Sequence, residues 1–208
     1  MADPKLDARL ERVREPIERV RKAPRDIVAL MGPIGLFEEL SPRERAVVSE
    51  IAEVVRCLGR TKVFEAGDEG KYLYCVLQGR LELRTVTGPG MTHAVREIPA
   101  GRMAGLDAVL TQAPYHMTCI ALENTAALRF HTAQLHQLLG LGTPAAIKLF
   151  VAMRTELGAD IRAATMQVVN LLEQTSARGS SAPTGAGGAM PTAGIQTTSL
   201  PGGNPSRG

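Results

Sequence analysis

The chain is poor in aromatic residues and has no long apolar run. Of its 208 residues only 3% are aromatic and none is tryptophan, whereas 44% are hydrophobic. A core built from this sequence must therefore be aliphatic, and the length suits one domain of about 100–150 residues with extensions. No apolar run reaches the roughly 18 residues of a transmembrane helix. The N-terminus, Met-Ala-Asp-Pro-Lys, has no apolar signal-peptide core, so we expect a soluble cytoplasmic protein that does not bind membranes.

Motifs for catalysis and for metal binding are also missing. The sequence contains no Gly-x-Ser-x-Gly element, no Walker loop and no paired-carboxylate motif. The four histidines are His93, His116, His131 and His136. No two of them stand four residues apart beside a carboxylate, as a helical zinc site requires. We therefore predict no catalytic residue and no metal site, and we expect the histidines to lie at the surface.

The cysteines and the charge exclude two further classes of protein. Cys57, Cys75 and Cys119 are odd in number, lack metal-ligand spacing and each lie in an apolar run. This pattern predicts buried thiols in a reducing compartment rather than disulfides. The net charge is +3, but acidic residues alternate with the basic ones, as in residues 9–15. Such interleaving is typical of a solvated helix face and not of a nucleic-acid-binding surface.

Two helices are predicted near the N-terminus. Between residues 5 and 23, apolar residues recur at steps of four and three, which predicts an amphipathic helix that Pro16 kinks or restarts and Pro24 ends. This helix could pack on the domain or a second subunit, or it could dock another protein. Ser41, followed by Pro42 and by Glu44, forms a capping box that predicts a second helix running to about Val55.

The middle of the chain changes to the pattern of strands. From residue 58 to residue 130, apolar and polar residues alternate between glycine-containing turns, which predicts a small antiparallel roll or barrel. A short helix is predicted over 132–139, and a long one from Pro144 to about Gln174. The long helix carries an apolar stripe, which we call the seam; it consists of Phe150, Leu157, Ile161, Ala164, Val168 and Leu171, and is broken at Arg154. The seam could form a coiled coil with a second copy or pack on the chain's own roll.

The last segment of the chain, residues 175–208, is rich in glycine, proline, serine, alanine and threonine. From Ser176 onward it contains no acidic and no aromatic residue. It cannot bury enough apolar surface to offset the entropy of ordering, so we predict a disordered tail. The tail shows no pattern for a winged helix-turn-helix.

Residues 101–121 carry the most informative motif. They read Gly-Arg-Met-Ala-Gly-Leu-Asp-Ala-Val-Leu-Thr-Gln-Ala-Pro-Tyr-His-Met-Thr-Cys-Ile-Ala. This stretch resembles, without a gap, the phosphate-binding cassette of cyclic-nucleotide-binding domains. The positions that match are Gly101, Gly105, Ala108, Val109, Leu110, Pro114 and Thr118. The stretch from Val63 to Leu83 resembles a second, independent motif of the same family, and the likeness spans roughly residues 36–172.

Two positions of the cassette depart from the family pattern. The glutamate that would hold the ribose hydroxyl is Leu106, and the arginine that would hold the cyclic phosphate is Tyr115. Losing a charge-assisted contact to a buried anion removes on the order of 2–5 kcal/mol. Asp107 or His116 could turn inward to compensate; alternatively, both face solvent while Leu106 and Tyr115 plug the pocket. The candidate pocket residues are Gly105, Leu106, Asp107, Ala108, Pro114, Tyr115, His116 and Thr118.

Together these features predict an α+β protein: a small antiparallel β-roll, of the cyclic-nucleotide-binding-like jelly-roll type, flanked by N-terminal helices and a long C-terminal helix. Residues 1–35 are predicted to be a helical extension, 36–174 the domain with its C-terminal helix, and 175–208 the tail.

The resemblance implies a non-catalytic regulatory module in which cyclic nucleotide binding is weak or lost. Its partners would be a second copy of the chain, because relatives in the cyclic AMP receptor group dimerise through a helix in this position, and another cytoplasmic protein. The alternative is a genuine sensor of a cyclic nucleotide or another small ligand that uses a non-standard pocket. A cupin-type metalloenzyme is the least favoured, because the inward histidine and carboxylate ligands are missing.

Overall fold

The computed structural model describes residues 17–88 and 90–179, and for residues 176–179 it describes only the backbone. The chain divides into two units, Met1–Thr165 and Met166–Gly208. In the described residues of the first unit, nine strands and four complete helices confirm the predicted α+β class. The fifth helix starts in this unit and ends in the second.

The bounds of the elements follow the chain. The strands are β1 (Ile17–Val20), β2 (Ala52–Cys57), β3 (Lys62–Phe64), β4 (Tyr72–Gln78), β5 (Arg80–Thr87), β6 (Met91–Pro99), β7 (Met103–Ala104), β8 (Thr118–Ala121) and β9 (Thr125–His131). The helices are α1 (Pro24–Met31), α2 (Pro42–Ser49), α3 (Leu106–Thr111), α4 (Thr132–Gly140) and α5 (Pro144–Gly179), with a 3₁₀ turn at Gly35–Phe37.

The strands form two antiparallel sheets that together make up the roll. One has the order β1-β2-β9-β4-β7 and the other β3-β8-β5-β6. Because side chains alternate along a strand, the first sheet contributes to two separate cores. Tyr74 and Val76 lie between the sheets in what we call the inner cluster. Leu73 and Cys75 lie on the opposite face, in the helix-side cluster, where the helices pack. All three thiols are buried, as predicted.

Two predicted helices are wrong in part. The helix expected over 5–23 does not form at Ile17–Val20, which pairs as β1 with β2; residues 5–16 lie outside the described residues. Pro24 begins α1 instead of ending a helix, because proline suits the first helical turn. The helix that starts at the confirmed Ser41 capping box ends at Ser49 rather than at Val55.

The reason for the early end of α2 lies in the valine pair that follows it. Val54 packs in the helix-side cluster and Val55 in the inner cluster. Adjacent residues can be buried on opposite sides only in a strand, which the branched valine side chains also favour. The tertiary structure therefore overrides the helical spacing of this segment.

Helix α5 is fixed to the roll by contacts along its stretch from Leu149 to Asp160. Leu149 and Met153 are buried in the helix-side cluster. Arg102, which precedes β7, forms ion pairs with Glu156 (Nε–Oε1 2.5 Å) and with Asp160 (Nη2–Oδ1 2.7 Å). The pKa of Glu156 is nevertheless raised, because the desolvation of this half-buried carboxyl outweighs the attraction of Arg102.

The second unit contains the end of α5. Its side chains from Met166 to Thr175 are exposed, and the helix continues to Gly179, five residues beyond the predicted end near Gln174. The predicted tail from residue 180 onward lies outside the described residues. None of the helices in the described part of the chain has both the length and the apolar character that a membrane span requires.

Candidate functional site

The cassette forms a tight turn followed by a short helix. Gly105 has a φ of +83° and caps the N-terminus of α3. A Cβ atom at this position would lie 2.9 Å from Cε1 of Tyr115 and 3.1 Å from the carbonyl oxygen of Tyr72. Glycine is therefore required here twice, for its backbone angle and for the space that the tyrosine ring takes.

Tyr115 is held inside the roll by its hydroxyl group. This hydroxyl donates a hydrogen bond to the carbonyl oxygen of Tyr72 (2.6 Å) and accepts one from the amide of the same residue (2.9 Å). It thus satisfies both backbone groups of Tyr72, as a neighbouring strand would. Burial raises the pKa of Tyr115 to about 12, so the hydroxyl keeps its proton at neutral pH and remains a donor.

The ring and the backbone of Tyr115 are fixed as well. The ring stacks on Phe64 with a centroid distance of 3.8 Å and an interplanar angle of 16°. The Tyr115 amide donates to the carbonyl oxygen of Asp68 (2.9 Å), and its own carbonyl accepts from the amide of Gly67 (2.8 Å). The side chain in the predicted arginine position is therefore part of the core, with 4% of its surface exposed.

The other cassette residues separate into two groups. Ala108 packs beside Tyr115 in the inner cluster, and Thr118 accepts a hydrogen bond from the amide of Ala66 (3.1 Å). Leu106 points the other way, into the helix-side cluster. Of the two residues predicted to plug the pocket, Tyr115 fills the interior, whereas Leu106 belongs to the core behind it.

Asp107 and His116 pair with each other at the surface. Nδ1 of His116 lies 2.5 Å from Oδ2 of Asp107. The side chain of His116 is 59% exposed and that of Asp107 is 40% exposed. Pro114 is exposed beside them. Neither polar side chain turns inward to replace the missing glutamate or arginine, so the compensation considered from the sequence does not occur in this structure.

A second set of aromatic and charged residues lies at the roll and is not predicted by any motif in the sequence. The guanidinium of Arg129 lies 4.3 Å from the ring centroid of Tyr72 and binds Glu53 (Nη2–Oε2 2.6 Å). Glu53 also binds Arg19 at 2.8 Å. The alternation along β4 places Tyr72 and Tyr74 on the same face and could have indicated the aromatic part. Glu53 on β2 lies opposite Arg129 on the neighbouring strand β9. No local sequence pattern predicts this pairing.

The profile of the cyclic nucleotide-binding domain matches residues 54–140, and the fold around it is that of solved cyclic nucleotide-binding domains. Residues 54–140 belong to this family. Comparison with curated proteins finds no significant sequence match.

Three solved structures show the extent of the likeness. A cyclic nucleotide-binding domain from Methylobacillus flagellatus is 18% identical, with a TM-score of 0.65 over 74% of this chain and 89% of the other. The regulatory domain of Toxoplasma gondii protein kinase A, solved with cAMP, is 15% identical, with a TM-score of 0.54 over 64% and 49%. A regulatory subunit of a cAMP-independent protein kinase A from Trypanosoma cruzi, bound to guanosine, is 15% identical, with a TM-score of 0.52 over 64% and 51%.

In the cyclic nucleotide-binding domain of this chain, the glutamate and arginine positions of the family's cassette hold Leu106 and Tyr115. The cyclic phosphate is an anion, and the position of its arginine is held by the neutral, buried Tyr115. Arg129 is the one guanidinium found against the inner aromatic residues among the described side chains, and its charge is already paired with Glu53. A buried anion without a free cation is strongly disfavoured. In the described residues no group of three or more histidine, cysteine or acidic side chains could hold a metal ion either.

The seam lies largely outside the core of the domain. Leu157 packs partly against the helix-side cluster. Phe150 and Ile161 keep 48% and 59% of their surface exposed, and Ala164 is exposed too. In the second unit Val168 and Leu171 are 57% and 61% exposed. Most of the seam is therefore left uncovered by the described part of the chain.

Proposed function

We infer that this protein is a non-catalytic regulatory module whose cyclic nucleotide-binding domain has lost the standard pocket and acts through protein contacts. The observation that carries this conclusion is the position of Tyr115. Its ring fills the interior against Phe64, and its hydroxyl satisfies both backbone groups of Tyr72. A ligand would have to displace a fully bonded core residue to enter.

The solved relatives support a change of ligand within this fold. One relative was solved with cAMP, and another is described as cAMP-independent and was solved with guanosine. The fold therefore tolerates different ligands among proteins of comparable similarity to this one, so the loss of cyclic nucleotide binding does not require a different architecture.

The exposed part of α5 supports association with a second copy. Large apolar side chains at Phe150, Ile161, Val168 and Leu171 are about half or more exposed in the single chain. An apolar stripe of this length is typical of an interface between helices. We expect a homodimer and, in addition, a cytoplasmic protein partner; nothing in the composition favours nucleic acid or membranes as partners.

A second candidate function is a small-ligand sensor that uses a surface groove. A groove of about 520 Å³ lies beside the cassette and is lined by Lys71, Gln112, Pro114, His131 and His136 among others. Its size is within the usual range for ligand sites. Lys71, which pairs with Glu69 of the same groove (3.2 Å), and the two imidazoles would supply polar contacts. Leu106 and Tyr115 do not line this groove, so such a ligand would bind outside the family's own pocket.

Titration calorimetry tests the proposed function directly. Injecting cAMP and cGMP into the full chain should give no binding heat at micromolar protein concentration. The variant Tyr115→Arg, alone and together with Leu106→Glu, restores the charged side chains of the family pattern. A folded variant that gains affinity for cAMP would confirm the alignment of the cassette. A low-micromolar dissociation constant for the unmodified chain would contradict the proposal and favour a rearranged pocket.

A further inference from the structure

A second groove, which shares no lining residue with the first, has the features of a peptide-binding surface. It has a volume of about 590 Å³ and lies between the 3₁₀ turn at Gly35–Phe37 and the start of α5. We call it the α5 groove. Its lining residues are Gly35, Leu36, Glu38, Glu39, Gly101, Met103, Ile147, Lys148, Val151, Ala152, Thr155 and Glu156. All of them lie in the first unit of the chain.

The base and one wall of the α5 groove are apolar. Leu36 and Met103 are buried at its base. Ile147 and Val151 stand one turn apart on α5 and keep 56% and 45% of their surface exposed. Together with Thr155 they form a ridge about 12 Å long, from the rise of 1.5 Å per residue. This is the length over which two turns of a partner helix would insert their apolar side chains.

The rim of the groove is acidic although the chain as a whole is basic. Glu38 and Glu39 are exposed on the rim, and neither forms an ion pair with another described residue. Lys148, the one basic residue that lines the groove, has its charge satisfied by Glu44 (2.9 Å). The net charge of the chain is +3, so a cationic ligand would be attracted to this rim and not to the protein in general.

Gly35 provides a third, independent observation. A Cβ atom at this position would meet nothing within 4 Å, and the backbone does not have a positive φ. The fold itself therefore does not require glycine here. The missing side chain leaves the backbone of the turn open at the groove, which allows another chain to approach closely.

We propose that the α5 groove binds a basic amphipathic helix of a partner protein, with its apolar face on Ile147 and Val151 and its cations beside Glu38 and Glu39. This rests on the proposed function, since it names the kind of partner through which the module would act. Charge argues against the chain's own residues 1–16 as the occupant, because their acidic and basic residues are equal in number, four of each.

The test uses a fluorescent 14-residue helical peptide of leucine and lysine, titrated with the full chain and read by anisotropy. A peptide with glutamate in place of each lysine is its matched control. We expect the lysine peptide to bind, the glutamate peptide not to bind, and the affinity to fall as salt is raised. Equal binding of both peptides, or of neither, would overturn the proposal.

Variants locate the binding on the chain. Gly35→Trp should weaken binding of the lysine peptide by about tenfold or more, as blocking a central contact does. Gly140→Trp is its matched control, because Gly140 also has open space and lies outside the groove. Glu38→Lys with Glu39→Lys should weaken binding similarly, whereas Glu65→Lys with Glu69→Lys, the same charge change elsewhere, should not. Equal effects of groove and control variants would show that the peptide binds elsewhere.

Two competing occupants give distinct results. If a peptide of residues 1–16 displaces the lysine peptide, the groove belongs to the chain's own N-terminus and the proposal is wrong. If Thr155→Asp, which changes a groove residue on a different side of α5 from the seam, changes the molar mass measured by light scattering, a second copy occupies the groove, and the proposal is again wrong. Neither result depends on cAMP binding, so failure here and failure of the proposed function are separable.

Discussion

The interior of the roll and the outer surface of α5 differ in how completely their side chains are packed and hydrogen-bonded. In the inner cluster, Tyr115 has partners for its hydroxyl, its ring and its backbone. On the outer surface of α5, Ile147 and Ile161 are more than half exposed with no apolar cover from the described part of the chain. The domain is closed where its family would place a ligand and open where a helix faces outward.

This difference bears on where recognition takes place. A buried residue that is fully hydrogen-bonded resists replacement by a ligand, because the ligand must offset the bonds and the packing that it breaks. Covering exposed apolar residues with a partner is favourable, because it removes apolar surface from water. We therefore expect binding to take place on the surface of α5 rather than inside the roll. The following experiments test these two regions in turn.

The largest effect is expected from removing the ring of Tyr115. Tyr115→Ala deletes a buried aromatic side chain and should lower the free energy of unfolding by about 3–5 kcal/mol. Tyr115→Phe keeps the ring but leaves the amide and carbonyl of Tyr72 without their partner, which should cost about 1–3 kcal/mol. Urea denaturation followed by circular dichroism measures both. If Tyr115→Phe is as stable as the unmodified chain, the hydroxyl does not hold the pocket closed.

A smaller effect on stability, but a large one on assembly, is expected at the seam. Ile161 is 59% exposed in the single chain, so Ile161→Asp should change the free energy of unfolding of a monomer by no more than about 0.5 kcal/mol. In a dimer the same carboxylate would be buried without a cationic partner, so the dimer should dissociate. Light scattering of the two proteins at equal concentration measures the change.

The control for this experiment is Ala163→Asp, which places the same charge on the opposite side of the helix. It should leave the dimer intact. If the unmodified chain is monomeric at all concentrations, the seam is not a dimer interface. The α5 groove would then be the surface on which we expect a partner.

The interior of the roll and the long helix α5 could be predicted from the sequence to different degrees. The cassette from Gly101 to Ala121 predicted the fold, because its glycines and small residues are matched in order and spacing, and the long helix was predicted from Pro144 and the heptad spacing. The strand Ile17–Val20 and the first part of Ala52–Cys57, to about Val55, are predicted as helix. Spacing alone cannot show that adjacent valines will be buried on opposite faces of a sheet. The pairing of the Tyr115 hydroxyl with Tyr72 joins residues 43 positions apart, and no sequence period encodes it.

The smallest effect is expected for the three thiols, which report whether the interior stays closed. Burial raises the pKa of Cys57 to about 11 and that of Cys75 to about 12, and it raises the pKa of Cys119 as well. Because the thiolate is the reactive form and needs access to the reagent, none of the three should react with an aromatic disulfide in the native chain at neutral pH. All three should react in urea.

Combining this measurement with Tyr115→Ala assigns the protection to the correct cluster. Cys57 and Cys119 share the inner cluster with Tyr115, whereas Cys75 lies in the helix-side cluster. Loss of the ring should therefore speed the labelling of Cys57 and Cys119, mapped by mass spectrometry, before that of Cys75. If Cys75 reacts as fast as the other two, the variant opens by unfolding as a whole, and Tyr115 is a general core residue rather than the local closure of the roll.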